Sequence, residues 1–373
     1  MGFSGYATPE GTARYAARLQ GAVADGHFRE FQGLKISSIG LGTYLGEHDA
    51  RTDAQYRDAI IRAVELGCNL IDTAVNYRFQ QSERTIGQAL ASLFEQGRLQ
   101  RDELVIATKG GFIPFDGSPP RSQQELMAYI ERTFIQPGII KAADIVAGCH
   151  CMTPPYLQHQ LDTSLRNLGL ECVDIYFVHN PETQLEAIPR AEFVQRMRTA
   201  FQALETNVAA GKVRWYGTAT WEGYRRPPDA PDHLALGELV AAAHDIGGEP
   251  HHFRVIQLPH NLAMPEALTQ QNQRVDGETL SALEAAQAFG IYALCSACLL
   301  QSRLTRGLPD VLAQVFRLDT DAQRAIQFVR SSPGVGSALI GMKQVRHVEE
   351  NLAVAQVPPA SLEQFMQLFE RSS

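Results

Sequence analysis

The feature that most constrains this chain is an alternation running almost from end to end: short apolar runs, each followed by a polar break and a longer amphipathic stretch of helical period. That pattern forces a parallel sheet covered by helices. The strand-like runs fall at 36–44, 69–73, 104–108, 173–179, 213–218, 254–258, 291–295 and 337–340. Helical stretches fall at 52–66, 82–96, 156–168, 191–210, 232–246, 277–289, 321–331 and 345–355, several closed by a glycine such as Gly67, Gly169, Gly211 or Gly290. Eight such units predict an α/β fold closed as a (β/α)8 TIM barrel, and 373 residues suit one barrel with loop insertions.

The segments outside the eightfold count have their own expectations. Residues 28–36 read as a β-hairpin turning at Gly33, suited to plug the bottom of the barrel. Residues 1–27 read as an N-terminal helical extension, with Thr8 capping a helix to about Val23 and a packing or homo-oligomer role; 28–373 is then a single barrel domain. A long insertion at 111–150 carries a helical stretch at 123–133. It lies after the third strand, where long loops at the C-terminal face of a barrel build substrate pockets.

Composition removes several function classes. With 45% hydrophobic and 20% charged residues the chain can bury a large core. A formal net charge of -8 argues against nucleic acid and against an anionic membrane surface, both of which select clustered Lys and Arg. No apolar run approaches the roughly 18 residues of a membrane helix and the start lacks a signal-peptide pattern, so a cytoplasmic location is expected. The 6 cysteines are dispersed, which fits reduced thiols. Cys149-His150-Cys151 invites a metal reading, but no second ligand pair stands at suitable spacing, so no metal is expected.

Barrel enzymes place reactive side chains where strands end. Here Asp72 ends the second strand with Tyr77 five residues beyond it, Lys109 ends the third, and His179 the fourth. An ammonium such as Lys109 would stabilise the phenolate of Tyr77 and bring its pKa, ordinarily about 10, toward neutrality. Asp72 would hold the lysine protonated, and His179 would hydrogen-bond a reacting carbonyl. Such a site needs a hydride carrier across the barrel mouth. Singly, each residue has a bland reading as cap, snorkelling lysine, packed aromatic or core histidine. Together on three successive strands they favour chemistry.

These residues stand in runs that resemble the aldo-keto reductase family: Gly40-Leu41-Gly42-Thr43, Asp72-Thr73-Ala74-x-x-Tyr77, Ala107-Thr108-Lys109, Asp174 through His179, and Gly211-Lys212-Val213-Arg214. The resemblance spans roughly 28–356. It implies that Tyr77 is the general acid/base, that Lys109 tunes it, that Asp72 partners the lysine and that His179 orients the carbonyl. It further implies NADPH or NADP as cofactor, bound by Gly42, Thr43, Asp72, Asn180, Thr220, Gln257 and Ser296, with Gln257 and Thr220 at the nicotinamide carboxamide and Ser296 on the phosphate side. Lys343 and His347 would then meet the 2′-phosphate, and Glu350 and Asn351 the adenine. No G-x-G-x-x-G fingerprint follows a strand, so a Rossmann domain is not expected. Two places depart from the family pattern: Gly217-Thr218-Ala219-Thr220 stands where many members read Gly-x-Ser-Asn, and Cys295 where many carry a stacking aromatic.

The implied reaction is reduction of aldehyde or ketone carbonyls on small molecules. The alternatives are alcohol or aldose oxidation, a nucleotide-sensing regulatory subunit, and an unrelated barrel lyase or isomerase. Tyr44, Phe79 and Trp221 are the expected substrate-pocket walls.

Overall fold

The computed structural model describes residues 2–370. Its strands in chain order are β1 (Phe28–Phe31), β2 (Leu34–Ser37), β3 (Ile39–Gly42), β4 (Leu70–Asp72), β5 (Val105–Gly110), β6 (Val173–His179), β7 (Val213–Ala219), β8 (Phe253–Pro259), β9 (Gln273–Val275), β10 (Glu278–Leu280), β11 (Tyr292–Ser296) and β12 (Val335–Gly341). Eight of them close a parallel barrel in the order β3, β4, β5, β6, β7, β8, β11, β12. The (β/α)8 expectation therefore holds.

The two-residue period of a strand explains how the barrel is filled and where its chemistry lies. Leu70, Val105, Ala107, Ile175, Phe177, Trp215, Val255, Leu294 and Leu339 form one buried cluster, and the residues between them, such as Ile71, Ile106, Tyr176 and Ile256, belong to the cluster beneath the helices. Continuing the inward period by one step past Leu70, Ala107, Phe177 and Val255 reaches Asp72, Lys109, His179 and Gln257. Polar side chains thus form the top layer of an otherwise apolar barrel.

The hairpin β1–β2 is antiparallel and supplies Phe31, Leu34 and Ile36 to the inner cluster. It turns through Gln32 and Gly33, both at positive φ (50° and 82°), which a two-residue hairpin turn demands and glycine meets without strain. Residues 36–44 are not one strand, as the sequence suggested. Ser38 donates its backbone N–H to the His27 carbonyl at 2.7 Å, ending the hairpin before β3 begins in the barrel. An apolar run registers both strands without showing the change of partner.

The N-terminal helix is Pro9–Arg18, shorter than expected, with Gly11 N–H donating to Thr8 Oγ1 at 2.9 Å as the cap. It docks on its own barrel. Tyr15 donates to the Val64 carbonyl at 2.5 Å, and Arg14 and Arg18 pair with buried Glu103. Residues 277–289 also differ from the reading as one helix. Asp276 and Gly277 (φ 49° and 88°) turn the small hairpin β9–β10, and the helix starts only at Ala282 behind a Ser281/Glu284 capping box. The helix expected at 232–246 is Leu236–Gly247. Helices Asp310–Phe316 and Leu362–Met366 were not anticipated.

The insertion after β5 carries helix Gln123–Ile130, running into a π-helical turn, Glu131–Ile135. A small core of Ile113, Ile130, Phe134, Ile140, Cys151 and Tyr156 packs it against helix Pro154–Leu168. Among the described residues no helix is long and apolar enough to cross a membrane.

Candidate active site

At the C-terminal ends of the strands lies a cavity of about 480 Å³, lined by Gly42, Tyr44, Asp72, Tyr77, Phe112, His179, Trp221, Gln257 and Ser296 among others. A larger cleft of about 810 Å³ opens outside the barrel, between the insertion and helices Gln81–Glu95 and Pro154–Leu168. The smaller cavity is the one that gathers the expected reactive groups.

Its floor is an ion pair. Lys109, 0% exposed, donates from Nζ to Asp72 Oδ1 and Oδ2 (2.8 and 2.7 Å) and to the Thr73 carbonyl (2.8 Å). Gln257 donates from Nε2 to Asp72 Oδ1 at 2.8 Å. Burial lowers the Lys109 ammonium and Asp72 counters it, which is why the pair can exist here.

Tyr77 stands over this pair, with Lys109 Nζ 5.0 Å from its ring centroid. It begins the short 3-10 segment Tyr77–Gln80, in which Arg78, Phe79 and Gln80 all adopt left-handed backbone angles (φ 49°, 56° and 72°). Three consecutive non-glycine residues in that region need outside support. Arg78 supplies it, donating to Asp53 Oδ1 at 2.6 Å and to the Glu47 carbonyl at 2.8 Å.

The Tyr77 phenol is shifted by its surroundings, with Lys109 positioned beneath its ring. Burial pushes the phenol well above its ordinary value, and Asp72 and Tyr44 add to the rise. The three lysine N–H groups are directed at Asp72 and Thr73, so the carboxylate offsets the ammonium's charge. The His179 imidazole goes the other way. Burial, then Lys109 and His150, hold it well below its ordinary value. The cavity thus presents a protonated phenol beside a neutral imidazole, their ring centroids 5.9 Å apart.

Most of the other expected residues gather here too. Asn180, Thr220 and Ser296 line the cavity, as do Tyr44 and Trp221, which are 58% and 43% exposed at its mouth. Thr43 lies on the wall, but its hydroxyl turns inward to Thr73 Oγ1 at 2.9 Å. Phe79 is not brought to the cavity. The left-handed turn carries its ring outward against His48 and Phe115, at 5.0 and 6.4 Å. Lys343, His347, Glu350 and Asn351 lie beyond the rim residue Gly341, on or just before helix Val345–Leu352. There Lys343, His347 and Glu350 are half-buried and Asn351 is buried.

Among the residues that escaped the sequence reading, Phe112 and Glu182 shape the cavity walls. Phe112, three past Lys109, lines the cavity with its ring 5.1 Å from that of His179. Glu182, two past Asn180, accepts the backbone N–H groups of Trp221 and Glu222 at 2.8 and 3.1 Å and so holds the loop that presents Trp221. Both stand just beyond strand ends, a positional signal the sequence does carry. Among the described residues no group of three or more His, Cys, Asp or Glu side chains is placed to hold a metal.

A closed barrel with such a floor defines an oxidoreductase-like site, and comparison with known proteins gives it a family. The model of the Aldo/keto reductase family matches residues 38–226, and the chain belongs to that family. It is 28% identical over 212 residues to an NADH-specific methylglyoxal reductase of Escherichia coli, covering 55% of this chain and 54% of that protein. It is 29% identical over 188 residues to an NADP(+) aldo-keto reductase of Schizosaccharomyces pombe, covering 49% and 42%. The chain thus spans about half the length of the curated relatives it matches. In fold it is similar to an aldo/keto reductase from Klebsiella pneumoniae solved with NADP and acetate, at TM-score 0.60 and 21% identity over 94% of this chain and 98% of that one. It is likewise similar to a glycerol dehydrogenase from Gluconobacter oxydans, at TM-score 0.62 and 18% identity over 91% and 93%.

Proposed function

We propose that this chain is an NADP(H)-dependent oxidoreductase that reduces aldehyde or ketone carbonyls to alcohols, with Tyr77 as proton donor. The observation that carries the proposal is the placement of the Tyr77 phenol and the His179 imidazole on one cavity above the Lys109–Asp72 pair. At neutral pH the phenol is in the protonated form that a proton donor requires.

The residues fit a nicotinamide. Thr220 Oγ1 is buried without a hydrogen-bond partner on the cavity wall, and Gln257, having given its amide N–H to Asp72, keeps its oxygen to accept from a carboxamide. Asn180 and Ser296 share that wall. When bound, the nicotinamide supplies the hydride. The remaining steps belong to the chain: His179 donates a hydrogen bond that aims the carbonyl oxygen, Tyr77 transfers its proton to that oxygen, and the Lys109–Asp72 pair forms the floor beneath the Tyr77 ring. Gly42 and Thr43 shape the wall beside Asp72.

NADP is favoured over NAD because Lys343 puts a cation where the resemblance places a 2′-phosphate, with His347 beside it. Glu350 and Asn351 would take the adenine. Tyr44, Phe112 and Trp221 give an aromatic wall suited to aryl aldehydes and apolar ketones. Six free thiols fit a cytoplasmic setting.

Titrating the chain with NADPH and NADH, then following nicotinamide absorbance against aryl, aliphatic and sugar aldehydes, tests this reading. Tighter binding of NADPH and its consumption with an aldehyde are expected. No binding of either dinucleotide at millimolar concentration would overturn it.

A further inference from the structure

The Cys149-His150-Cys151 run at the end of the insertion does not line the cavity, yet His150 lies directly behind His179. His150 is fully buried, and its Nε2 is 2.7 Å from the backbone carbonyl of His179. Its Nδ1 is 2.8 Å from Gln184 Nε2, and Gln184 Oε1 is 2.6 Å from an Arg196 guanidinium nitrogen. The chemistry of the ends fixes every proton between them. A guanidinium only donates, so the Gln184 oxygen must face Arg196 and its NH2 must face His150. His150 Nδ1 is therefore the acceptor, and the ring proton sits on Nε2, pointing at the His179 carbonyl.

Backbone geometry is built around this contact. A Cβ on Gly111, which has φ +144°, would fall 2.7 Å from His150 Nε2 and 2.9 Å from the His179 oxygen, so only glycine admits the approach. Two backbone bonds, Ile113 N–H to Cys149 O at 2.7 Å and Cys151 N–H to Gly111 O at 2.8 Å, tie the two ends of the insertion together at this point. The His179 ring, by contrast, has no anchor of its own: Nδ1 is buried without a partner, and its neighbours are the rings of Phe112 and Tyr77. Its backbone also passes at once into a left-handed residue, Asn180, with φ 45°.

We propose that His150 is a positioning residue for His179, gripping its carbonyl through the Arg196–Gln184–His150 chain so that the imidazole is aimed at the substrate from behind. The insertion after β5 thereby serves to aim the catalytic histidine as well as to wall the pocket. This rests on the carbonyl-reductase reading above.

The experiment compares His150→Phe, which fills the space without hydrogen bonding, with His150→Gln, whose amide can donate to the same carbonyl. His150→Phe should lower kcat/KM for an aldehyde roughly tenfold to a hundredfold, the scale of a small misalignment at a reacting centre. NADPH affinity should stay within about twofold, and His150→Gln should recover most of the loss. In a His179→Ala background His150→Phe should cost nothing further, because the coupling runs through His179. Wild-type kinetics in His150→Phe, or the same loss with and without His179, would overturn the proposal. Gln184→Leu removes the second anchor and serves if His150→Phe does not fold. Should the wild type reduce no carbonyl, the function reading falls; histidine-ring NMR then still decides the inference, since His150 must carry its proton on Nε2 and its replacement must shift the His179 resonances.

Discussion

At the scale of single residues, the proposed mechanism needs two neutral groups. Tyr77 is held protonated mainly by burial, and His179 is held deprotonated by burial and the nearby Lys109. Neither changes charge in the ordinary working range, so the rate of carbonyl reduction should be flat between about pH 6 and 9. A measured fall with a midpoint near 7 would mean that one of them titrates there. The Lys109–Asp72 pair also bears on stability, because removing one partner leaves the other charge buried and unpaired. Lys109→Met leaves a buried carboxylate with only Gln257 as partner and should cost about 3–5 kcal/mol in urea unfolding, and Asp72→Asn in the same chain should restore part of it.

At the scale of elements, the barrel strands approach one another too closely for side chains at some points. A Cβ on Gly217 would lie 1.7 Å from the Val255 carbonyl, so Gly217→Ala should separate β7 from β8 and lower the thermal midpoint sharply. Gly341→Ala, with nothing within 4 Å of its Cβ, should leave the midpoint unchanged. The same strands made much of the site legible in the sequence. Asp72, Lys109 and His179 could be read because each is an ionisable residue ending an apolar run whose period of two points it inward. Where the chain leaves regular structure the reading failed for physical reasons. Phe79 was expected in the pocket, but the left-handed turn at Arg78–Gln80 carries it outward, and no periodicity reports such a turn. The hairpin β9–β10 was hidden inside an apparent helix for the same reason, its turn at Asp276 and Gly277 being a local backbone event. His150 drew notice as part of a Cys-His-Cys run, whereas its partners lie 29 and 34 positions away in sequence.

At the scale of the whole molecule, burial of neutral histidines should make the fold sensitive to acid. His27, His150 and His260 are each held down to about 4 by burial, against an ordinary value of about 6.5 in the unfolded chain. As pH falls through that interval the unfolded state takes up protons that the native state refuses. Stability should therefore be level above about pH 7 and decline from about 6.5 toward 4, visible as a falling urea midpoint. A midpoint unchanged down to pH 4.5 would contradict these environments, which span the barrel's bottom, the insertion and the loop after β8. The central claim is narrower, that Tyr77 delivers the proton while the rest of the site binds and aims. It is tested most directly by NADPH consumption on an aryl aldehyde with wild type beside Tyr77→Phe, the NADPH affinity of both being measured in parallel. The account predicts turnover reduced by orders of magnitude in Tyr77→Phe with NADPH affinity retained; equal turnover in the two proteins would contradict it.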